Sequence, residues 1–191
     1  MIVLFLFVAN NNFWKDSRIL TEEILTSYGG YEAGDEKLWG KIYDEDNILR
    51  YWGQIRNNMA NGYGKLLFPT GVPEYEGTFK DNFINGRGLF YCAAGNLIYQ
   101  GEFKDGVKKG SGVEYYHTGS KMYEGNWLTD QWHGQGVWYD ILGDIIFKGQ
   151  FELGKPRKLD NAGKYGDNFP QKVEAERTRL KNYKAKHGSF F

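Results

Sequence analysis

The chain has 191 residues, with 24 Lys and Arg balancing 24 Asp and Glu, 26 glycines and 17 % aromatic residues. One cysteine, Cys92, excludes an internal disulfide and is compatible with a reducing compartment. The charge is unevenly placed: residues 1–154 carry 14 Lys and Arg against 20 Asp and Glu, and residues 155–191 carry 10 against 4. An acidic body with a basic end lacks the basic folded face expected of a nucleic-acid binder.

In chain order, Ile2 to Ala9 form an apolar run, too short to span a bilayer. No basic residue precedes it and Asn10-Asn11-Asn12 follows, so it reads as a buried strand or a partner-inserted segment rather than a secretory signal. Asp16 to Ser27 then reads as a short helix, with Ile19, Leu20 and Ile24 on one side.

From Ser27 to Gly154 the sequence repeats every 24 residues. The motif runs Tyr51-Trp52-Gly53-Gln54-Ile55, Tyr75-Glu76-Gly77-Thr78-Phe79 and Tyr99-Gln100-Gly101-Glu102-Phe103, then Tyr123-Glu124-Gly125-Asn126-Trp127 and Phe147-Lys148-Gly149-Gln150-Phe151. With the first aromatic as position 0, glycines recur at positions 2, 11, 13 and 20, and Gly, Asn or Asp at position 7. A period of this length marks a repeat array with atypical ends. Positions 7 and 20 suit tight turns, so each unit is a β-hairpin.

The fold expected is all-β, an elongated single-layer antiparallel meander of five to six hairpins with short helices at both ends. If the turns centre near positions 8 and 20, position 0 pairs with 16 and position 4 with 12. Two aromatic rows then flank a groove. Tyr75, Phe79, Tyr91, Tyr99, Phe103, Tyr115, Tyr123, Trp127 and Tyr139 are its candidate partner-binding walls, and Gly53, Gly77, Gly101, Gly125 and Gly149 its floor. These rings equally serve as a structural ladder, since cross-strand aromatic pairs add roughly 0.2–1 kcal/mol each.

The stretch Tyr123-Glu124-Gly125-Asn126-Trp127 through Gly134-Gln135-Gly136, with its companion copies, resembles the MORN (membrane occupation and recognition nexus) repeat. The resemblance covers about Ser27 to Gly154. It implies a non-enzymatic scaffold that binds protein partners in a larger assembly, with a ciliary or cytoskeletal place favoured over a mitochondrial complex or the membrane periphery. The alternative it implies is an adaptor on anionic membrane. A homo-oligomer is compatible with either.

Beyond Gly154 the chain is irregular through Phe169-Pro170, and Gln171 to Lys186 reads as a charged helix whose few apolar residues, Val173, Leu180 and Tyr183, need a docking surface. The organisation is therefore an N-terminal segment 1–26, an array 27–154 and a basic extension 155–191. His117, His133 and His187 show no metal-ligand spacing, no phosphate-binding glycine loop opens a helix, and the ends are too short for a second core. Neither catalytic residue, metal nor cofactor is expected.

Overall fold

A computed structural model describes residues 18–21 and 38–157 and, near the C-terminus, the helical positions 175–176, 178–183 and 185 (α1). The apolar run 2–9 lies outside these residues. The strands are β1 (Arg18–Thr21), β2 (Leu38–Tyr43), β3 (Leu49–Arg56), β4 (Met59–Leu67), β5 (Pro73–Lys80) and β6 (Phe83–Tyr91), followed by β7 (Leu97–Lys104), β8 (Val107–Tyr115), β9 (Lys121–Leu128), β10 (Gln131–Tyr139), β11 (Ile145–Glu152) and β12 (Lys155–Pro156). They lie in one sheet in chain order, the antiparallel meander that the repeat predicts. Two compact units divide the chain: residues 1–96 with 103–107, and residues 97–102 with 108–191.

One expected element is corrected. Within the helix expected over Asp16 to Ser27, Arg18–Thr21 is a strand, antiparallel to β2, with Arg18 opposite Tyr43 and Thr21 opposite Gly40. Ile19 and Thr21 are β-branched, and ladder pairing with β2 outweighs a weak local helix preference.

Each hairpin closes through two residues in the left-handed region, such as Asp81 (φ 49) and Asn82 (φ 70). These are positions 6 and 7 of the repeat. The wider turns end on position 20, where the Gly71 N–H donates to the Phe68 carbonyl at 2.8 Å. A third irregularity has no counterpart in the expected hairpin. Gly77 faces Gly88 and Phe79 faces Ile84, so three residues of β6 oppose the single residue Thr78. Gly86, at position 11, takes φ +90 inside this bulge.

Turn and bulge together set a register different from the expected one. Position 0 pairs with 15, not 16: Tyr75 faces Phe90 and Tyr123 faces Trp138. Position 4 pairs with 9, not 12: Phe79 faces Ile84 and Trp127 faces Trp132. Because side chains alternate, a slip of one residue moves a row to the other face.

The inner face is built on one contact. Gly77 opposes Gly88, and a Cβ on either would run into the Tyr75 ring. The tyrosine therefore lies over the glycine pair, fully buried, and its hydroxyl donates to the Thr78 carbonyl at 3.2 Å, at the residue left out of register by the bulge. Tyr51, Tyr99 and Tyr123 repeat this with Gln54, Glu102 and Asn126 at 2.8, 3.2 and 2.9 Å. Their rings stand edge-on to the position-4 rings. In the first unit Tyr75 meets Phe79 at 5.2 Å and Phe103 at 5.3 Å. In the second, Tyr123 meets Trp127 at 5.4 Å and Phe151 at 5.0 Å. Edge-to-face pairs of this kind add about 0.5–1.5 kcal/mol beyond their burial.

The thin-striped C-terminal helix docks on the second unit. Leu180 and Tyr183 of α1 are half-buried while Arg179 and Lys181 are exposed. The Tyr183 ring meets Tyr116 edge-on at 5.3 Å, and its hydroxyl accepts the His117 backbone N–H at 2.8 Å.

Filling the space above a glycine pair is expected to be costly. A Cβ at Gly101 would meet the Tyr99 hydroxyl and lie 2.6 Å from the Gly112 Cα. Gly101→Val should lower stability by roughly 1–3 kcal/mol or more, while Gln100→Val on the exposed face should change it little. Thermal melts of the two variants check this; equal melting points would reverse the assignment of faces.

Candidate functional site

The residues singled out as groove walls separate onto two faces. Tyr75, Phe79, Tyr99, Phe103, Tyr123 and Trp127 are buried core residues on the inner face. Tyr91, Tyr115 and Tyr139, at position 16, lie on the outer face and are half-exposed. Gly53, Gly77 and Gly125 are on the inner face opposite Gly64, Gly88 and Gly136, and Gly149 also faces Gly136. Gly101 approaches Gly112 in the same way. The open groove expected between two aromatic rows is thus occupied by the chain's own tyrosines. Burial pushes the hydroxyl pKa of Tyr51, Tyr75, Tyr99 and Tyr123 well above the ordinary phenol value, which keeps each hydroxyl protonated and a donor to its backbone carbonyl.

The outer face presents rings among polar groups. In the first unit Trp52 is 43 % and Tyr63 42 % exposed, and Trp39 lies 5.9 Å from Trp52 between ring centroids. The Tyr63 hydroxyl donates to the Glu76 carboxylate at 2.6 Å, which pushes its pKa up to about 12 and holds that of Glu76 below the usual range. Lys65 reaches Glu76 at 3.2 Å. In the second unit Tyr115 donates to Gln100 at 3.4 Å, and Lys121 pairs with Glu124 at 2.7 Å.

The expected pairing of position 4 with position 12 puts Tyr63 on the face of the position-4 rings, whereas the observed register puts it outside with Trp52. The repeat itself holds the missing signal. Position 1 is Glu76, Gln100, Glu124 and Lys148 in the other copies, and position 12 is Arg87, Ser111 and Gln135. Rings at these positions in the first copies are not required by the fold that the later copies share.

Two charged clusters are buried where other copies carry apolar side chains. Lys108 and Glu114 take the places held by Ile84 and Phe90 one repeat earlier. Lys108 is fully buried, its ammonium 4.1 Å from the Tyr99 ring centre, 4.3 Å from that of Trp127 and 3.8 Å from Glu114. Glu114 also accepts the Trp132 indole N–H at 2.9 Å. In the first unit Arg50 and Glu74 precede the tyrosine, where later copies have Ile98, Met122 and Ile146. Arg50 donates to the Leu67 carbonyl at 2.9 Å and pairs with Asp44 at 3.4 Å. Burial pushes the Glu74 carboxyl up to about 7, against the attraction of Arg50.

Among the described residues no three His, Cys, Asp or Glu side chains are grouped to hold a metal ion, and no helix is long and apolar enough to cross a membrane. The described arrangement combines an inner face whose tyrosine hydroxyls are satisfied by the chain's own carbonyls with an outer face able to form aromatic and charged contacts.

Replacing both buried ions by their neighbours' apolar residues, Lys108→Ile with Glu114→Phe, should be neutral or stabilising by about 1–4 kcal/mol, whereas Glu114→Ala alone should cost about 3–5 kcal/mol. Denaturant titration of the three proteins separates these outcomes.

The Glu74 carboxyl sets a pH dependence. Its folded pKa of about 7 lies above the unfolded value, so its favourable contribution is complete below that unfolded value and is lost as the pH rises through 7. At about 1.4 kcal/mol per pKa unit, a few kcal/mol are involved. The gain in melting temperature from Glu74→Gln should therefore be larger at pH 8 than at pH 5; a gain independent of pH would assign the burial cost elsewhere.

The MORN repeat family matches the chain over residues 51–72, 75–97, 99–121 and 123–140. A comparison with curated proteins finds no match.

Proposed function

The chain is a MORN repeat protein, and on that premise we propose that it is a non-enzymatic scaffold that binds protein partners through the outer face of its repeats within a larger assembly. MORN repeats are generally associated with binding of proteins or membrane lipids. The observation that carries the reading is the division of labour between the faces. The tyrosines on the inner face spend their rings and hydroxyls on their own glycines and carbonyls. Tyr91, Tyr115 and Tyr139 are left half-exposed outside, beside mixed charges such as Lys121 and Glu124.

Protein is favoured over lipid because those charges are paired with one another rather than gathered as a basic patch, the feature that draws anionic lipid. The setting proposed, a ciliary or cytoskeletal assembly, rests on the family resemblance alone. The second reading is an adaptor on anionic membrane, favoured by the exposed Arg179 and Lys181 on α1.

Affinity purification of the tagged full chain after cross-linking in cells should recover protein partners. Tyr115→Ser with Tyr139→Ser should lose them at an unchanged melting temperature, and vesicles containing phosphatidylserine should not co-sediment the chain. Vesicle binding with no recovered partner would establish the adaptor instead. Partners retained by the double variant would move recognition off this face.

A further inference from the structure

Within the second unit, the docked helix and the last hairpin leave a cleft of about 310 Å³. Its floor is Trp132 and Trp138, both buried. Leu153 and Pro156 form one wall, Leu180 the other, and Lys155 and Lys181 stand at its sides. We propose that this cleft is a docking site for a partner protein's segment that presents one large apolar side chain flanked by carboxylates. The proposal names the partner chemistry for the scaffold reading above, at a second place on the chain, and it rests on that reading.

Three observations carry it. The first is Leu153, which has a left-handed backbone at φ 49 and is 66 % exposed. The equivalent turn position is Asn57, Asp81, Asp105 and Thr129 in the earlier hairpins. A leucine gains nothing from that conformation, which Asn and Asp tolerate better. Its exposed side chain recovers little by internal packing, while its place on the cleft wall gives it a use in binding.

Charge is the second observation. Arg157 and Arg179, the neighbouring cations, pair with Glu152 and Glu176. Lys155 and Lys181 are exposed and form no ion pair with a described residue. Two such ammonium groups beside an apolar floor complement an apolar side chain set between acidic ones, and they oppose a basic or bare hydrocarbon partner.

The third is the end of the repeat. Pro156 stands at position 9, where the preceding copies place Ala60, Ile84, Lys108 and Trp132 in the core. It brings a ring but no N–H, so it gives the ladder no donor there. The indoles of Trp132 and Trp138 thereby border a cleft rather than a further full hairpin.

The test uses the full chain and a panel of short fluorescent peptides. Each carries one leucine, isoleucine, phenylalanine or tryptophan between aspartates and glutamates, and a matched panel has asparagine and glutamine in their place. Anisotropy titrations should show acidic peptides binding roughly tenfold or more tightly than their neutral matches. Lys155→Glu with Lys181→Glu should abolish that binding. Leu153→Asn should weaken it while leaving the melting temperature equal or higher, a split that a purely structural leucine would not give.

The proposal is overturned if no acidic peptide binds, if the neutral panel binds equally, or if Leu153→Asn lowers the melting temperature without affecting binding. Decanoate displacing the peptides at comparable concentration would reassign the cleft to a small carboxylate. The Tyr115→Ser, Tyr139→Ser protein should still bind the peptides, so failure here and failure of the outer-face reading are told apart.

Discussion

The described sheet depends on a tyrosine lying across two glycines. The contact needs three things at once: no Cβ on two facing strand residues, a ring reaching over both, and a carbonyl for the hydroxyl. The bulge supplies the last of these, because Thr78 and its equivalents lie outside the regular ladder. The aromatic at position 4 then closes against the tyrosine edge. Packing that a second layer would ordinarily supply to one face of a sheet is supplied here largely by the sheet's own rings. That is why glycine and tyrosine, rather than aliphatic residues, dominate the motif.

How much of this could be read beforehand follows from which residues speak locally. Positive φ at positions 7 and 20 is legible because Gly, Asn and Asp mark it, and those turns give the hairpins and their order. The bulge is not legible in the same way. Gly86 and its equivalents look like one more strand glycine, yet with the exact turn position they decide whether Tyr91 faces inward with Tyr75 or away from it. A register resting on two turn centres carries no check against one extra kink. The strand at Arg18–Thr21 escaped for a different reason, since its pairing partner is β2, far from it in sequence. The docking of Tyr183 beside His117 was equally silent, though the need for some docking surface was visible in the thin apolar stripe.

Departures from the repeat are the informative residues once the repeat is understood. Ile84 and Phe90 show what positions 9 and 15 need, so Lys108 and Glu114 stand out as a choice not imposed by the fold. Lys108 lies against the rings of Tyr99 and Trp127, and Glu114 accepts the Trp132 indole N–H, so this layer of the second unit carries polar contacts beside its apolar ones. Trp52 and Leu153 are departures of the opposite sort, apolar where the other copies are polar, and both are exposed. Buried ions and exposed rings thus mark the copies as individuals within a regular array.

The two-residue turns do not close only their own hairpins. The Asn82 N–H donates to the Ala60 carbonyl and its side chain accepts the Ala60 N–H at 2.7 Å, both in the preceding copy. Asp130 does the same for Lys108, accepting its N–H at 2.8 Å. Each hairpin therefore leaves backbone groups that only its successor can satisfy. Such wiring makes the copies thermodynamically unequal to free hairpins: stability resides in the junctions, and the array behaves as a chain of nearest-neighbour couplings. Lengthening by a whole 24-residue unit preserves every junction, whereas removing part of a unit strands the copy before it. Evolution of such a protein is accordingly quantised, its length free to change in whole steps and resistant to anything finer.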